Sequence, residues 1–145
     1  MNNKLIIGGD HAGYSLKSIL ADGLKSTYEI TDVGTNSEES CDYPDFAHQV
    51  GQRVDSGEFE RGIVICGSAN GVAMVVNKYP NVRAGLCWNI EIAELARQHN
   101  NMNVLCLPAR YISKKEAEQI IQTFLNTPFE GGRHEKRVNK IPIHQ

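Results

Sequence analysis

The clearest candidate for chemistry is Cys66, which ends an apolar run and directly precedes a loop of small residues. The stretch from residue 61 to residue 74 reads RGIVICGSANGVAM. A thiol at the start of a helix can have its pKa lowered from about 8.5, because the helix dipole stabilises the thiolate. Such a thiolate serves as a nucleophile or as a general base. A cysteine that only packs as a small apolar side chain is the alternative interpretation.

The residues after Cys66 exclude one class of cysteine enzyme and two classes of nucleotide site. Cysteine phosphatases need an arginine six residues after the cysteine to bind phosphate, and that position is Val72. The GSANG segment is neither a G-x-G-x-x-G fingerprint nor a P-loop. It offers a run of backbone N–H groups that an oxyanion or a phosphate can approach, because the side chains are small. A tight strand–helix turn without a ligand fits the same residues.

Other reactive side chains stand at the ends of predicted strands and helices. Asp10 and His11 follow two glycines, and the RQHNN segment ends a predicted helix. Arg133 and Arg137 are four residues apart, so they lie one above the other on a helix. Arginine forks suit phosphate oxygens, and Arg110 and His11 could join them. A solvated basic C-terminus is the alternative interpretation of the tail.

Short apolar runs alternate with helical periodicity five times along the chain, which predicts an α/β fold. Residues 63–66 are apolar throughout, as expected of a strand in a parallel sheet buried on both faces. We expect one helix to be capped by Asn89 and another by the pair Ser113 and Glu116. Pro44 is expected near the start of a third helix. The repeated units favour a five-stranded parallel sheet covered by helices on both faces, with ligands at the carboxyl ends of the strands.

Length and composition set the broad class. The 145 residues, 41% hydrophobic and 22% charged, suit one globular domain over residues 1–145, with a basic C-terminal helix at about 131–141. The net charge of −2 favours neither nucleic acid nor a membrane as partner. No apolar run approaches the ~18 residues of a membrane span, and no signal-peptide core is present, so we expect a cytoplasmic protein. The wide cysteine spacings predict free thiols and no zinc site.

Eight segments, taken in order, resemble the family of ribose-5-phosphate isomerases of type B, which includes subunits of galactose-6-phosphate isomerase. They are GGDHAGYSLK, DVGT, DYPDFAHQV, GIVICGSANGVAM, NK, VRAGLC, ARQHNNMNVL and EGGRHEKRV, and the match runs from about residue 4 to residue 141. The resemblance implies an aldose–ketose isomerase of the pentose phosphate pathway. Its substrate would be a phosphorylated sugar, D-ribose 5-phosphate, converted to D-ribulose 5-phosphate through a cis-enediolate without metal or organic cofactor.

The same resemblance implies a Rossmann-like three-layer α/β/α sandwich and a particular assembly. Family members are homodimers, and some are tetramers, with active sites at the subunit interface. Asp10 and Cys66 would come from one subunit, while His99, Asn100 and some arginines would reach in from the other.

The resemblance also assigns roles to single residues. Cys66 is expected to be the base that moves the proton, and His99, assisted by Asp10, to open the sugar ring. Ser68 is expected to act on a substrate hydroxyl or in the proton relay. The remaining expected contacts are the anion-hole residues Gly67, Ala69, Asn70 and Gly71, the phosphate-binding residues His11, Arg110, Arg133 and Arg137, and the hydroxyl-binding residues Tyr43 and Asn100.

Two sequence features distinguish this chain from other members of the family that it resembles. GSANG stands where many members have GTGxG, so Ala69 replaces a glycine. We expect ordinary helical or extended backbone angles at Ala69, because a positive φ strains a residue that carries a Cβ. Another branch lacks the cysteine and has a glutamate a few residues later. Residues 72–76 contain no carboxylate, so this chain is of the cysteine type.

The remaining histidines and cysteines receive simpler predictions. His48 and His144 are expected at the surface, and Cys87 and Cys106 in the core. Cys41 is a candidate for the edge of the site, and His134 is a candidate phosphate contact.

The sequence leaves two alternative functions open. A six-carbon substrate, such as allose 6-phosphate or galactose 6-phosphate, would keep the mechanism and change the pathway. A catalytically silent sugar-phosphate sensor belongs to another class of protein. It is disfavoured because every candidate catalytic position is filled.

Overall fold

The computed structural model describes residues 2–143, so the prediction for His144 lies outside the described residues. None of the helices in this range is long and apolar enough to cross a membrane. The elements are β1 (Lys4–Gly9), α1 (Tyr14–Leu24), β2 (Glu29–Asp32), α2 (Tyr43–Asp55), β3 (Gly62–Cys66), α3 (Asn70–Val76), β4 (Ala84–Leu86), α4 (Ile90–Asn100), β5 (Val104–Pro108), α5 (Lys114–Asn126) and α6 (Arg133–Val138).

All strand pairs are parallel, and the strand order is β2-β1-β3-β5-β4. The sheet separates two apolar cores, which explains why β3 and β5 are apolar at every position. Ile63 and Ile65 of β3 pack in the core formed with α1, α4 and α5, while Val64 packs in the core formed with α2 and α3. Full burial of such a side chain contributes about 1.5–3 kcal/mol to stability. The predicted five-stranded α/β sandwich is therefore confirmed.

Three predicted helix starts are also confirmed. The Asn89 side chain accepts the N–H of Ile92 at 2.9 Å and caps α4. Ser113 and Glu116 form a reciprocal capping box at α5, with both hydrogen bonds at 3.1 Å. Pro44 lies in the first turn of α2, where a missing N–H costs no helical hydrogen bond.

The strand order determines where a ligand crevice can form. From β1 the chain crosses to β2 on one side, and it later reaches β3 on the other side of β1. In open parallel sheets, ligands bind outside the carboxyl ends of the strands at such a switch point. Asp10 directly follows β1 and Cys66 ends β3. The fold therefore brings these two predicted catalytic residues to the same crevice.

A charged pair between a buried lysine and a partly exposed aspartate, not predicted from the sequence, supports this crevice. The Lys17 side chain is 1% exposed, and its Nζ donates to both carboxylate oxygens of Asp32 at 2.7 Å. Asp32 also accepts the N–H of Gly34 at 2.9 Å. The Gly34 carbonyl accepts the N–H of Gly9, the last residue of β1, at 2.8 Å. Lys17 therefore links α1 to the loop beside the end of β1.

We expect Lys17→Met to lower the free energy of unfolding by about 2–3 kcal/mol, because the Asp32 carboxylate then loses its cation in a partly buried place. The matched control is Lys25→Met on the same helix, since the Lys25–Asp22 pair is exposed and should contribute about 0–1 kcal/mol. Urea denaturation of both variants measures the difference. Equal losses in the two variants would contradict a special role for Lys17.

Candidate active site

Cys66 is held at the carboxyl edge of the sheet by β5. Its carbonyl accepts the N–H of Ala109 at 2.9 Å, and the carbonyl of Gly67 accepts the N–H of Arg110 at 3.1 Å. The residue is 8% exposed, so it packs against the core and still reaches the crevice. The sequence therefore ends a buried strand with a thiol at the point where a ligand can approach.

The loop between β3 and α3 presents bare backbone beside this thiol. The N–H groups of Ser68, Ala69 and Gly71 have no hydrogen-bond acceptor among residues 2–143. Ser68 Oγ accepts the backbone N–H of Asn70 at 3.4 Å and its side-chain Nδ2 at 3.2 Å. Free N–H groups held in a fixed turn are suited to stabilise a developing oxyanion.

The prediction of ordinary backbone angles at Ala69 is wrong. Its φ is 64° and its ψ is 3°, which lies in the left-handed region. The tight turn from β3 into α3 requires this conformation, at a cost of roughly 1–2 kcal/mol for a residue with a Cβ. The Ala69 methyl group is fully buried, and the Ala69 carbonyl accepts the N–H of Ala73 at 3.2 Å. Alanine therefore keeps the turn that a glycine would make, and core packing offsets the strain.

Asp10 is fixed by backbone groups at the start of α1. Its Oδ1 accepts the N–H of Ala12 at 3.0 Å and of Gly13 at 3.2 Å, and its own N–H donates to the Ile65 carbonyl at 3.3 Å. Oδ2 accepts no hydrogen bond from residues 2–143, so one carboxylate oxygen remains for a ligand or a second side chain. The carboxylate thus lies beside the strand that carries Cys66.

His11 is oriented by the segment before α2. Its Nδ1 accepts the backbone N–H of Cys41 at 3.2 Å. A nitrogen that accepts cannot carry the proton, so the neutral ring has its hydrogen on Nε2, where it can donate to an anion. The Cys41 Sγ lies 3.8 Å from the same Nδ1. The structure therefore places Cys41 beside a predicted phosphate-binding residue.

Two further predicted binding side chains lie over glycines of the β3–α3 loop. Arg110 Nη1 is 3.2 Å from the point where a Cβ on Gly67 would stand. The Tyr43 hydroxyl is 2.7 Å from the corresponding point at Gly71. A side chain at either glycine would displace these groups. The bare loop therefore brings Arg110 and Tyr43 to the edge that holds Cys66.

The other predicted residues lie at the opposite edge of the sheet. Helices in a parallel βα fold run back against the strands, so His99 and Asn100, at the end of α4, lie where strands begin. Three residues after Asn100, the carbonyl of Asn103 accepts the N–H of Gly62 at 3.0 Å. Gly62 begins β3 and Cys66 ends it, a span of about 13 Å. One chain therefore does not bring His99 and Cys66 together.

His99 lies in a small cluster with α6. Its ring stacks on the ring of His134, with centroids 4.2 Å apart and planes 12° apart. Both Nε2 atoms face Glu130 Oε1, at 3.6 Å from His99 and 3.9 Å from His134. Burial lowers the pKa of His134, and the nearby charges of His99, Arg133 and Arg137 lower it further. Arg133 and Arg137 themselves are exposed on α6.

Two residues that were not predicted from the sequence, Glu130 and Arg97, position this cluster. Glu130 contacts both histidines, and its spacing of four residues before His134 was the only signal. Arg97 is buried, and its guanidinium donates to the carbonyls of Thr127 at 2.9 Å and Met102 at 2.6 Å. Burial lowers the pKa of Arg97 to about 10, so the group stays charged at neutral pH. It ties the end of α4 to the segment that precedes α6.

A groove of about 850 Å³ elsewhere on the molecule does not contain Cys66. It lies at the edge where strands begin, between Tyr79 and Arg83 on one side and Asn100 and Ile141 on the other. Of the predicted site residues it includes only Asn100. Its size alone therefore does not identify it as the catalytic crevice.

The thiols differ in their expected reactivity. Burial raises the pKa of Cys87 to about 12 and raises that of Cys106 still further. The predicted core positions of both cysteines are confirmed. We expect iodoacetamide at pH 8 to alkylate Cys41 and Cys66 in the native protein before the other two, because the thiolate is the reactive form. Peptide mass mapping over time measures this order, and early labelling of Cys106 would contradict it.

Comparison with known proteins finds matches over nearly the whole chain. The family described as Ribose/Galactose Isomerase matches residues 5–141. Ribose-5-phosphate isomerase B of Escherichia coli is 40% identical over 139 residues, covering 95% of this chain and 93% of that protein. Probable ribose-5-phosphate isomerase B of Mycoplasma genitalium is 42% identical, covering 97% and 95%.

Solved structures agree with the sequence comparison. Ribose 5-phosphate isomerase from Thermotoga maritima has a TM-score of 0.94 and 45% identity, covering 98% of this chain and 99% of that one. Ribose-5-phosphate isomerase B from Mycoplasma genitalium, solved with bound ribulose-5-phosphate, has a TM-score of 0.93 and 42% identity, covering 97% and 95%.

Proposed function

Because this chain belongs to the ribose/galactose isomerase family, and is thus a sugar-phosphate isomerase, we propose that it interconverts D-ribose 5-phosphate and D-ribulose 5-phosphate. The observation that carries the proposal is Cys66 at the switch point of the sheet, directly beside a loop with free N–H groups. Further support comes from the similar protein of Mycoplasma genitalium, whose structure contains ribulose-5-phosphate.

In the proposed reaction, Cys66 acts as the general base. The thiolate removes the proton from C2 of the open-chain aldose, and the electrons of that bond form the enediolate while the C1 oxygen becomes an oxyanion. The free N–H groups of the loop stabilise this oxyanion, and one such donor can contribute about 2.7–4 kcal/mol. The thiol then returns the proton to C1. We assign to Ser68 Oγ the transfer of the hydroxyl proton from O2 to O1.

Ring opening needs a second acid–base group, and we assign it to His99 assisted by Asp10. Within one chain, His99 and Cys66 lie toward opposite ends of β3, a strand that spans about 13 Å. We therefore propose that the enzyme is a homodimer in which the end of α4 reaches the Cys66 edge of the partner subunit. Exposed apolar side chains on and near α3 and α4, namely Met74, Trp88, Ile90 and Leu95, support a covered surface there.

The phosphate would then be bound from both subunits. His11 and Arg110 lie at the edge of Cys66, whereas Arg133 and Arg137 lie beside α4. Arginine binds phosphate oxygens through paired donors, and the His11 Nε2–H adds a further donor. Tyr43 and Asn100 would contact sugar hydroxyls. The reaction as proposed needs no metal ion and no organic cofactor, and we assign it to the pentose phosphate pathway in the cytoplasm.

A six-carbon substrate is the second candidate, because the matching family includes galactose isomerases. The test is to mix the purified protein, in EDTA, with ribose 5-phosphate, allose 6-phosphate or galactose 6-phosphate and to follow ketose formation. We expect the highest kcat/KM with ribose 5-phosphate. Turnover of a six-carbon sugar alone would keep the mechanism and replace the substrate. Binding of sugar phosphate without any turnover would overturn the proposal in favour of a sensor.

A further inference from the structure

We propose that His99, Glu130 and His134 form a binding site for a late first-row divalent ion, with Zn²⁺ as the expected ligand, and that the bound ion inhibits the enzyme. The three ligand atoms lie within 4.8 Å of one another. Two histidines and one glutamate form a ligand set that zinc accepts, with a fourth position left for water. The ion would not be a cofactor, because it would occupy the ring nitrogen that the proposed reaction uses.

The distances suit an ion once the His99 ring turns out of its stack on His134, because the lone pairs of two stacked rings are parallel and do not meet at one point. Zinc binds imidazole nitrogen at about 2.0–2.1 Å and carboxylate oxygen at about 2.0–2.2 Å, so two ligands of a tetrahedral site stand roughly 3.4 Å apart. The two Nε2 atoms lie 3.6 and 3.9 Å from the same Glu130 oxygen. His99 and Glu130 are 38% and 46% exposed, so their side chains can turn to face a common point.

The backbone around the cluster is already ordered. The N–H of Glu130 donates to the Gln98 carbonyl at 3.1 Å, and the N–H of His134 donates to Gly131 at 3.0 Å. Arg97 holds the preceding Thr127. The three ligands come from the end of one helix, a linker and the start of another helix, and these segments are joined without the ion. Binding therefore does not require folding of a new segment.

The charges around the cluster determine which ligand matters most. A histidine binds a metal through its neutral ring, so the net charge of the three ligands comes from Glu130 alone. Arg133 and Arg137 oppose a dication, so the negative charge of Glu130 is needed to balance them. Imidazole ligands favour Zn²⁺ and Cu²⁺ over Mg²⁺, and Mg²⁺ should not bind.

Calorimetric titration of the full chain with ZnCl2 in a non-chelating buffer tests binding directly. We expect Glu130→Gln and His134→Gln each to weaken zinc binding at least tenfold, about the loss that follows even from removal of an outer-shell partner. The matched control is His48→Gln, because His48 is an exposed histidine bonded to Tyr79 at 2.8 Å and distant in sequence from the cluster. Unchanged affinity in Glu130→Gln and His134→Gln would overturn the proposal.

A second pair of ligands must be separated from this site. Cys41 Sγ and His11 Nδ1 are 3.8 Å apart and could also attract zinc. Cys41→Ala should keep the affinity of the native protein. If Cys41→Ala loses zinc and Glu130→Gln keeps it, the ion binds at Cys41, and the assignment to His99, Glu130 and His134 is wrong.

Inhibition is the second readout, and it rests on the proposed function. Zinc should lower the turnover of ribose 5-phosphate, and EDTA should restore it. Each variant is compared with its own zinc-free rate, and the zinc concentration for half inhibition should rise at least about tenfold in Glu130→Gln. Zinc that binds the cluster without inhibiting would overturn the inhibitory role. A protein without isomerase activity would still give the calorimetric result, so the two failures are distinguishable.

Discussion

Cys66→Ala should lower the turnover of ribose 5-phosphate by about 10²–10⁴-fold while leaving ribulose 5-phosphate binding within a few-fold of the native protein. Loss of a general base removes an interaction made in the transition state and typically costs this much. The binding groups that we assign, His11, Arg110 and the loop N–H groups, stay in place because alanine also fits the end of a buried strand. Initial rates of ketose formation and calorimetry measure the two quantities.

The matched control for this variant is Cys87→Ala. Cys87 is also buried and also follows a strand, but its side chain packs in the core beside Met102. Its turnover should remain close to that of the native protein. Native-like turnover in Cys66→Ala would remove the base role from the thiol and would transfer it to Asp10, the nearest carboxylate placed at the same crevice.

His99→Asn should lower the turnover of ribose 5-phosphate by about 10²–10⁴-fold, as Cys66→Ala does, because both remove an acid–base group. Unlike Cys66→Ala, it should retain one partial reaction. Ribulose 5-phosphate carries its phosphate on O5, so it cannot close a five-membered ring and needs no ring opening. In this variant, Cys66 can still exchange a C1 hydrogen of ribulose 5-phosphate with solvent. Proton NMR in D2O should therefore show loss of one of the two C1 hydrogen signals of ribulose 5-phosphate with His99→Asn and retention of both with Cys66→Ala.

The control for this experiment is His48→Asn, at an exposed histidine of α2. It should behave as the native protein in both assays. Equal loss of turnover and of C1 exchange in His99→Asn would contradict the assignment, because His99 would then serve the enediolate step itself.

The fold could be predicted because its signals are local. The fully apolar residues 63–66 indicate a strand buried on both faces, and the two cores on either side of β3 confirm this. Asn89 and Ser113 mark helix starts through side-chain acceptors that satisfy free N–H groups. These effects act over a few residues, so the local amino-acid sequence shows them.

The missed features depend on contacts between distant segments. The Lys17–Asp32 pair joins residues 15 apart, and an isolated lysine on a helix gives no sign of burial. Ala69 was expected to avoid a positive φ, but the geometry of the turn and the buried methyl group decide its conformation. Glu130 gains its contacts only because Arg97 and the Gln98 carbonyl hold its segment against α4.

The arrangement of the candidate site was only partly accessible from the sequence. Residues after β1, β3 and β5 meet at one edge because parallel strands end together, and this could be predicted. The end of α4 lies at the other edge because helices run back against the strands. The resemblance implied that His99 acts across a subunit interface, and the topology gives a physical reason for this proposal, since a single chain cannot bring His99 to Cys66.

Mixing Cys66→Ala with His99→Asn shows whether each active site combines opposite edges of the sheet from two copies of the chain. Each variant alone should be inactive on ribose 5-phosphate. After subunit exchange, verified by native mass spectrometry, half of the dimers should be mixed and each should contain one intact site. Because half of the dimers then have one of their two sites intact, we expect roughly a quarter of the native activity to return. No recovery in a mixture that contains mixed dimers would contradict a shared site and would place His99 and Cys66 in the same chain's chemistry.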